Sequence, residues 1–211
     1  MEAKFIVIEG IDGTGTTTQS SRLRDALVAH GERSILTSEP TGGPIGSVIR
    51  LALGGRLGLC RATGAPPAAE ESLYALLFAT DRLDHLLNEI NPALDAGIHV
   101  VTDRYCLSSY AYQSTGCDLA WLRQLNARAR TPDITFLFDA EPAVCLERIG
   151  RERHQRERYE KLEDLRAIRE NYLRIADILR AEGERIVHID ATRPIEAIHE
   201  EILGHVLSLG D

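Results

Sequence analysis

A chain of 211 residues with 44% apolar and 27% charged side chains can bury one sizeable core, and its formal charge of −8 argues against broad binding to nucleic acid or anionic membranes. Any phosphate it binds must then sit in a local basic pocket. No apolar run approaches the roughly 18 residues that span a bilayer, no basic-then-apolar leader opens the chain, and Cys60, Cys106, Cys117 and Cys145 follow no zinc spacing, so the expectation is a cytoplasmic protein with reduced thiols.

Phe5–Glu9 reads as a buried parallel strand that ends in a turn at Gly10. Thr17–His30 has helical spacing, with Leu23, Ala26 and Leu27 on one face. Ser34–Thr37 is a second strand, Pro44–Leu53 a short helix, and Gly54–Pro67 a Gly- and Pro-rich loop. Glu70–Asn91 is a long helix with a leucine-rich face. His99–Thr102 is a third strand, followed by a helix over Leu119–Ala129. Ile134–Phe138 is the fourth strand, and Pro142 opens a helix that runs to Arg151. After the charged stretch 151–160, Glu163–Glu182 is a helix with Leu165, Ile168, Tyr172, Ile175, Ala176 and Leu179 in register. Ile186–Ile189 is a fifth strand and Pro194–Leu207 a final helix. Strands alternating with helices predict an α/β fold with a parallel sheet covered on both faces. No linker or repeat divides the chain, so residues 1–211 are expected to form a single domain.

The turn after the first strand reads Gly10-Ile11-Asp12-Gly13-Thr14-Gly15-Thr16-Thr17, followed by Thr18. It follows the phosphate-loop pattern G-x-x-x-x-G-K-[ST], except that Thr16 stands where lysine belongs. The glycines let backbone N–H groups converge on phosphates, the helix N-terminus adds partial positive charge, and Thr17 can offer its hydroxyl to Mg²⁺. By itself the motif is also compatible with a glycine-rich turn that holds no ligand.

Four further stretches carry a resemblance. Ile8–Gly13 with Thr17-Thr18-Gln19, the segment Glu39-Pro40-Thr41-Gly42-Gly43, the helix Phe78-Ala79-Thr80-Asp81-Arg82, and Asp103-Arg104-Tyr105 with Ser108-Ser109-Tyr110-Ala111-Tyr112-Gln113 resemble, in order and spacing, the motifs of the thymidylate kinase family. The resemblance spans roughly residues 4 to 190. It implies a three-layer P-loop fold with five parallel strands in the order 2-3-1-4-5. It also implies ATP and Mg²⁺ as ligands, a homodimer, and transfer of the γ-phosphoryl of ATP to dTMP on the route to dTTP.

Residue by residue, the resemblance implies that Phe78 stacks on thymine and Arg82 reaches toward the acceptor nucleotide. Arg104 is implied as the holder of the dTMP phosphate, a task suited to a bidentate guanidinium just past a strand's carboxyl end. Ser108, Ser109, Tyr112 and Gln113 line the base and sugar, with Tyr112 crowding out a 2′-hydroxyl. Asp12 orients the acceptor sugar's 3′-hydroxyl or binds Mg²⁺ through water, Asp103 is an outer-sphere Mg²⁺ partner, and Glu39 contacts Mg²⁺ or an acceptor-site arginine. Ser38 replaces the arginine that usually precedes this Glu-Pro.

Phosphoryl transfer requires alignment and neutralisation of charge on the γ-phosphoryl oxygens. Lysines are scarce, Lys4 and Lys161 being the two, and the phosphate loop has no basic residue. Arg148, Arg151, Arg153, Arg156 and Arg158 crowd the segment that in the family forms a lid, about 148–162 here, and its D-R-[YF]-E signature reads Glu157-Arg158-Tyr159-Glu160. Arg153 and Arg156, with Arg158 next, are the expected phosphate contacts. Two rival readings are a related deoxynucleoside or nucleoside-monophosphate kinase and a degenerate nucleotide-binding protein without kinase activity.

Overall fold

The computed structural model describes residues 2–58, 67–152, 158–159 and 161–210. Among these, strands β1 (Phe5–Gly10), β2 (Ser34–Ser38), β3 (His99–Asp103), β4 (Ile134–Asp139) and β5 (Ile186–Asp190) form an all-parallel sheet in the order β2-β3-β1-β4-β5. β1 and β3 are buried along their whole length, as their near-continuous apolar sequences require, while the edge strand β2 is only half-buried.

Successive side chains of a strand point to opposite faces. Ile6 and Ile8 therefore join Leu23, Leu27 and Val101 in the larger core, whereas Phe5 and Val7 pack with Leu86, Ile90, Leu94 and Val100 on the other side. Both faces are covered, and the expected three-layer arrangement and strand order are observed.

Most helices lie where periodicity puts them: α1 (Thr16–Ala29), α2 (Pro44–Leu53), α3 (Pro67–His85), α4 (Asn91–Asp95), α5 (Cys106–Gln113), α6 (Leu119–Leu125), α7 (Pro142–Glu152), α8 (Leu162–Ala181) and α9 (Ile195–Leu207). Three departures have local causes. The long helix expected over Glu70–Asn91 is α3, a π-helical turn over Leu86–Ile90, and α4. Pro92 follows that turn and has no N–H to give to the preceding turn, so a wider turn replaces a regular one. α6 stops at Leu125, short of Ala129, because the Asn126 side chain turns inward, its amide donating to Leu122 O and its oxygen accepting from Arg82.

The third departure is α5, which the sequence reading did not anticipate. Five of its eight residues, Cys106, Ser108, Ser109, Tyr110 and Tyr112, are weaker helix formers, and Tyr105 at its N-cap makes no side-chain cap. The cap comes from β1: the buried Glu9 carboxylate accepts from the backbone N–H groups of Tyr105 (2.9 Å) and Ser108 (3.1 Å). Burial pushes the Glu9 carboxyl up, against the opposing influence of Ser108, Arg104 and Tyr105.

Candidate active site

Three of the carboxyl-terminal strand ends, at β2, β3 and β1, open onto one cleft of about 860 Å³, at the place where the sheet's connections change direction. Asp12, Gly13, Thr14, Gly15, Thr16, Thr17 and Thr18 line it, while Gly10 and Ile11 lie behind. Gly13 and Gly15 have φ of 85° and 91°, the left-handed region open to glycine. The N-terminus of α1 has no side-chain cap and no acidic residue in its first turn, so its N–H groups face the cleft as an anion site.

Arg104, at the end of β3, has φ 74°, uncommon for a residue with a Cβ. Its N–H is tied to Ile8 O (2.8 Å), and its side chain reaches across the mouth of β1. One guanidinium nitrogen donates to Gly10 O (2.8 Å), Ser108 Oγ (3.2 Å) and Tyr172 Oη (3.2 Å), the other to Asp12 Oδ1 (2.6 Å), and the group lies 5.4 Å from the centroid of the Tyr112 ring. Ser108 in turn donates to Glu9, so the carboxylate that caps α5 also orients a partner of Arg104.

Glu39 and Arg82 form a buried ion pair at 2.6 Å. Arg82 also donates to Asn126 Oδ1 (2.5 Å), Tyr105 O (3.1 Å) and Ser109 Oγ (3.0 Å), and His85 Nδ1 lies 3.2 Å from the second Glu39 oxygen. Burial alone would lower the Arg82 pKa, but Glu39 raises it above the ordinary value. Asp81, next to Arg82, accepts from the N–H and hydroxyl of Thr41 (2.7 and 2.6 Å), clamping the Glu39–Gly43 segment to α3. Glu39 thus contacts an arginine of the cleft wall.

Phe78 is partly exposed on the cleft wall and is absent from both core clusters. Tyr112 also lines the wall, and its ring packs edge-on against Tyr159 at 5.2 Å. Gln113 is 1% exposed, yet neither its amide nitrogen nor its amide oxygen has a hydrogen-bond partner. A buried amide with both ends unpaired is costly, and this one lines the cleft.

Thr17 donates to Asp103 Oδ2 (2.5 Å), and Asp103 Oδ1 is buried without a partner. Among the described residues no three His, Cys, Asp or Glu side chains are grouped to hold a metal. One hydroxyl and one carboxylate beside a phosphate loop nonetheless suit Mg²⁺, which keeps waters and takes phosphate oxygens.

The basic residues are arranged differently from expectation. Arg153 and Arg156 lie outside the described residues. Arg158 contacts Glu70 (2.5 Å) and Glu71 (2.9 Å) of α3 and lies over the rings of Tyr74 and Tyr159. It is held at the acidic start of α3 and does not line the cleft. Arg148, named among the lid arginines but not among the expected phosphate contacts, does line it, as do Arg50 and Arg193, which the sequence reading did not name. Arg50 donates to the carbonyls of Pro40 and Thr41, and Arg148 to those of Gly13 (3.3 Å) and Ala191 (3.1 and 3.2 Å). For Arg50, the sequence signal is an arginine one turn along the same helix face from Gly46, whose absent side chain lets α2 touch the Thr41 backbone.

A parallel sheet with this strand order, a glycine phosphate loop between β1 and α1, and a single cleft that runs from that loop to α3 and α5 define a P-loop fold. The family model for thymidylate kinase matches residues 8–202. The chain is 39% identical over 209 residues to a probable thymidylate kinase of Thermococcus kodakarensis, covering 97% of this chain and 98% of the other. It is 40% identical over 206 residues to one from Thermococcus gammatolerans (96% and 95%), and 34% identical over 216 residues to one from Methanosarcina mazei (98% and 97%). The chain belongs to the thymidylate kinase family.

Proposed function

We propose that the chain transfers the γ-phosphoryl group of ATP, with Mg²⁺, to the 5′-phosphate of dTMP, giving dTDP and ADP, in the cytoplasm and as a homodimer. A phosphate oxygen of dTMP attacks the γ-phosphorus, and the bond to the β-phosphate oxygen breaks with its electron pair leaving on ADP. ATP lies with its phosphates on the loop from Asp12 to Thr18. Arg104 holds the acceptor phosphate, and Asp12, already bonded to Arg104, faces the sugar. Mg²⁺, when bound, neutralises phosphate charge next to Thr17 and Asp103. Phe78 stacks on the thymine ring, Ser109 and Arg82 border it, and Tyr112 crowds the sugar's 2′ position. Arg153 and Arg156 remain the proposed lid contacts, and Arg158 joins them only by leaving Glu70 and Glu71.

The observation that carries this reading is Gln113. Its unpaired buried amide supplies one donor and one acceptor beside the Phe78 wall, the complement of a pyrimidine's imide edge. Gln113→Leu should raise KM for dTMP by about 10- to 100-fold, the worth of one or two hydrogen bonds. The same variant should be at least as stable as the parent in thermal unfolding, since it removes an unsatisfied amide. An unchanged KM would show that the amide does not read the base. The reaction itself is tested by ADP release with dTMP, dUMP, thymidine and no acceptor, with and without Mg²⁺. Turnover with thymidine alone would favour a nucleoside kinase, and binding without turnover a degenerate binder.

The dimer is supported by Leu73, Leu76, Leu83 and Leu87, each 38–62% exposed, which form one stripe along α3 and the π turn. Val48 and Leu51 of α2 are also exposed, on the helix packed against α3. Leu76→Asp with Leu83→Asp should halve the mass in light scattering. A parent that is already monomeric would refute the dimer.

A further inference from the structure

Resting on the reading of Arg104 as holder of the acceptor phosphate, we infer that Glu9 and Tyr172 are positioning residues for the reaction: the buried carboxylate turns the Ser108 and Tyr172 hydroxyls so that their oxygens hold the Arg104 guanidinium toward that phosphate. Neither Glu9 nor Tyr172 lines the cleft, so neither touches the nucleotide.

Glu9 is fully buried near the end of β1, in a strand that is otherwise apolar up to Gly10. A carboxylate there is costly unless its oxygens are satisfied. Oε1 takes the N–H groups of Tyr105 and Ser108, which start α5. Oε2 accepts from the Ser108 hydroxyl and from Tyr172 Oη of α8, the latter at 3.2 Å. One carboxylate thus joins β1, α5 and α8 directly behind the cleft. Capping α5 occupies Oε1 alone. The other oxygen meets two hydroxyls that both touch Arg104.

One Arg104 nitrogen donates to Ser108 Oγ and Tyr172 Oη, each at 3.2 Å, and the two hydroxyls lie 2.7 Å apart. Each hydroxyl carries a single hydrogen and two lone pairs. An ionised carboxylate accepts only, so it draws hydroxyl hydrogens to itself and leaves oxygen lone pairs for the guanidinium. A donor in the same place would take up a lone pair and turn a hydroxyl hydrogen toward Arg104. Burial pushes the Glu9 carboxyl up, and the Ser108 hydroxyl and the Arg104 charge oppose it, the electrostatic side of the same contact. Asp12 holds the other guanidinium nitrogen at 2.6 Å. The fork is therefore aimed from two sides, by Asp12 directly and by Glu9 through the two hydroxyls.

The test is Glu9→Gln, which keeps an acceptor for the α5 N–H groups and sets an amide donor against the hydroxyls. Calorimetry measures dTMP and thymidine binding, ligands that differ only in the phosphate, and ADP release gives kcat and KM. Glu9→Gln should weaken dTMP by about 10-fold and slow turnover by about 10- to 10²-fold, the scale of a misaligned reacting group, with thymidine binding within about 2-fold of the parent. In an Arg104→Ala background the same substitution should change dTMP binding by less than about 2-fold, because the group it positions is gone. Unaltered dTMP binding, or equal loss of dTMP and thymidine, would overturn the inference and leave Glu9 as the cap of α5. Losses that multiply in the double variant would overturn it too, since Glu9 would then act independently of Arg104. Should Glu9→Gln fail to fold, Tyr172→Phe decides, because it keeps the ring and removes one hydroxyl. A loss of about 3- to 10-fold in dTMP binding alone, the worth of one hydrogen bond, supports the inference, and unchanged dTMP binding refutes it. If the parent turns over no acceptor while dTMP and thymidine binding follow this pattern, the kinase reading fails and the positioning role stands.

Discussion

Arg104→Ala is expected to cut kcat for dTMP phosphorylation by about 10²- to 10³-fold, the usual consequence of deleting one preorganised charge at a reacting group. The group is preorganised to an unusual degree. Backbone φ of 74° aims it, four hydrogen bonds to Gly10, Ser108, Tyr172 and Asp12 hold it, and the Tyr112 ring covers one face. Deletion also leaves Asp12 with no counter-charge inside the phosphate loop, so binding of both nucleotides should weaken alongside kcat. Arg104→Lys should recover only part of the rate, because an ammonium is a point charge and cannot span Asp12 and the acceptor phosphate with a planar fork. Steady-state ADP release over a dTMP range gives kcat and KM separately, and thermal unfolding checks that the variants are folded. Folded Arg104→Ala with an unaltered kcat would remove this residue from the reaction.

Arg82→Met is expected to cost about 3–5 kcal/mol of stability, the penalty for leaving a buried charge unpaired. Glu39 is 4% exposed and Arg82 1%. With the guanidinium gone, Glu39 keeps only His85 beside it, and Asn126, Ser109 and Tyr105 O each lose a partner. Removing both charges in Arg82→Met with Glu39→Gln should recover part of the loss, since a buried pair replaced as a unit is often close to neutral. Urea unfolding of the parent, the single and the double variant measures both quantities. A single variant that loses less than about 1 kcal/mol, the scale of an exposed pair, would show that the cluster is hydrated. The functional link is that the same helix carries Phe78: an α3 loosened at Arg82 no longer holds that ring against the cleft.

The strands and most helices were legible because each is set by local spacing. A continuous apolar run such as Phe5–Ile8 has one stable place, the middle of a parallel sheet, and the 3.6-residue spacing of Leu165 to Leu179 has one buried face. The phosphate loop was legible for the same reason: its glycines, its strand and its helix are contiguous. Tertiary structure decided whatever depends on a partner far along the chain. α5 owes its N-cap to Glu9, 96 residues before Tyr105, so no window around Ser108 contains the signal. Arg158 and Arg148 sit ten residues apart in one arginine-rich run and read alike in sequence. Their fates differ because Glu70 and Glu71 wait for one and the bare Gly13 turn lies under the other. Residue type and spacing determine the glycine turn between strand and helix, because both are local. Which guanidinium meets a carboxylate and which a carbonyl, among the described residues, depends on partners brought within a few ångströms by folding, and only the packed structure decides that.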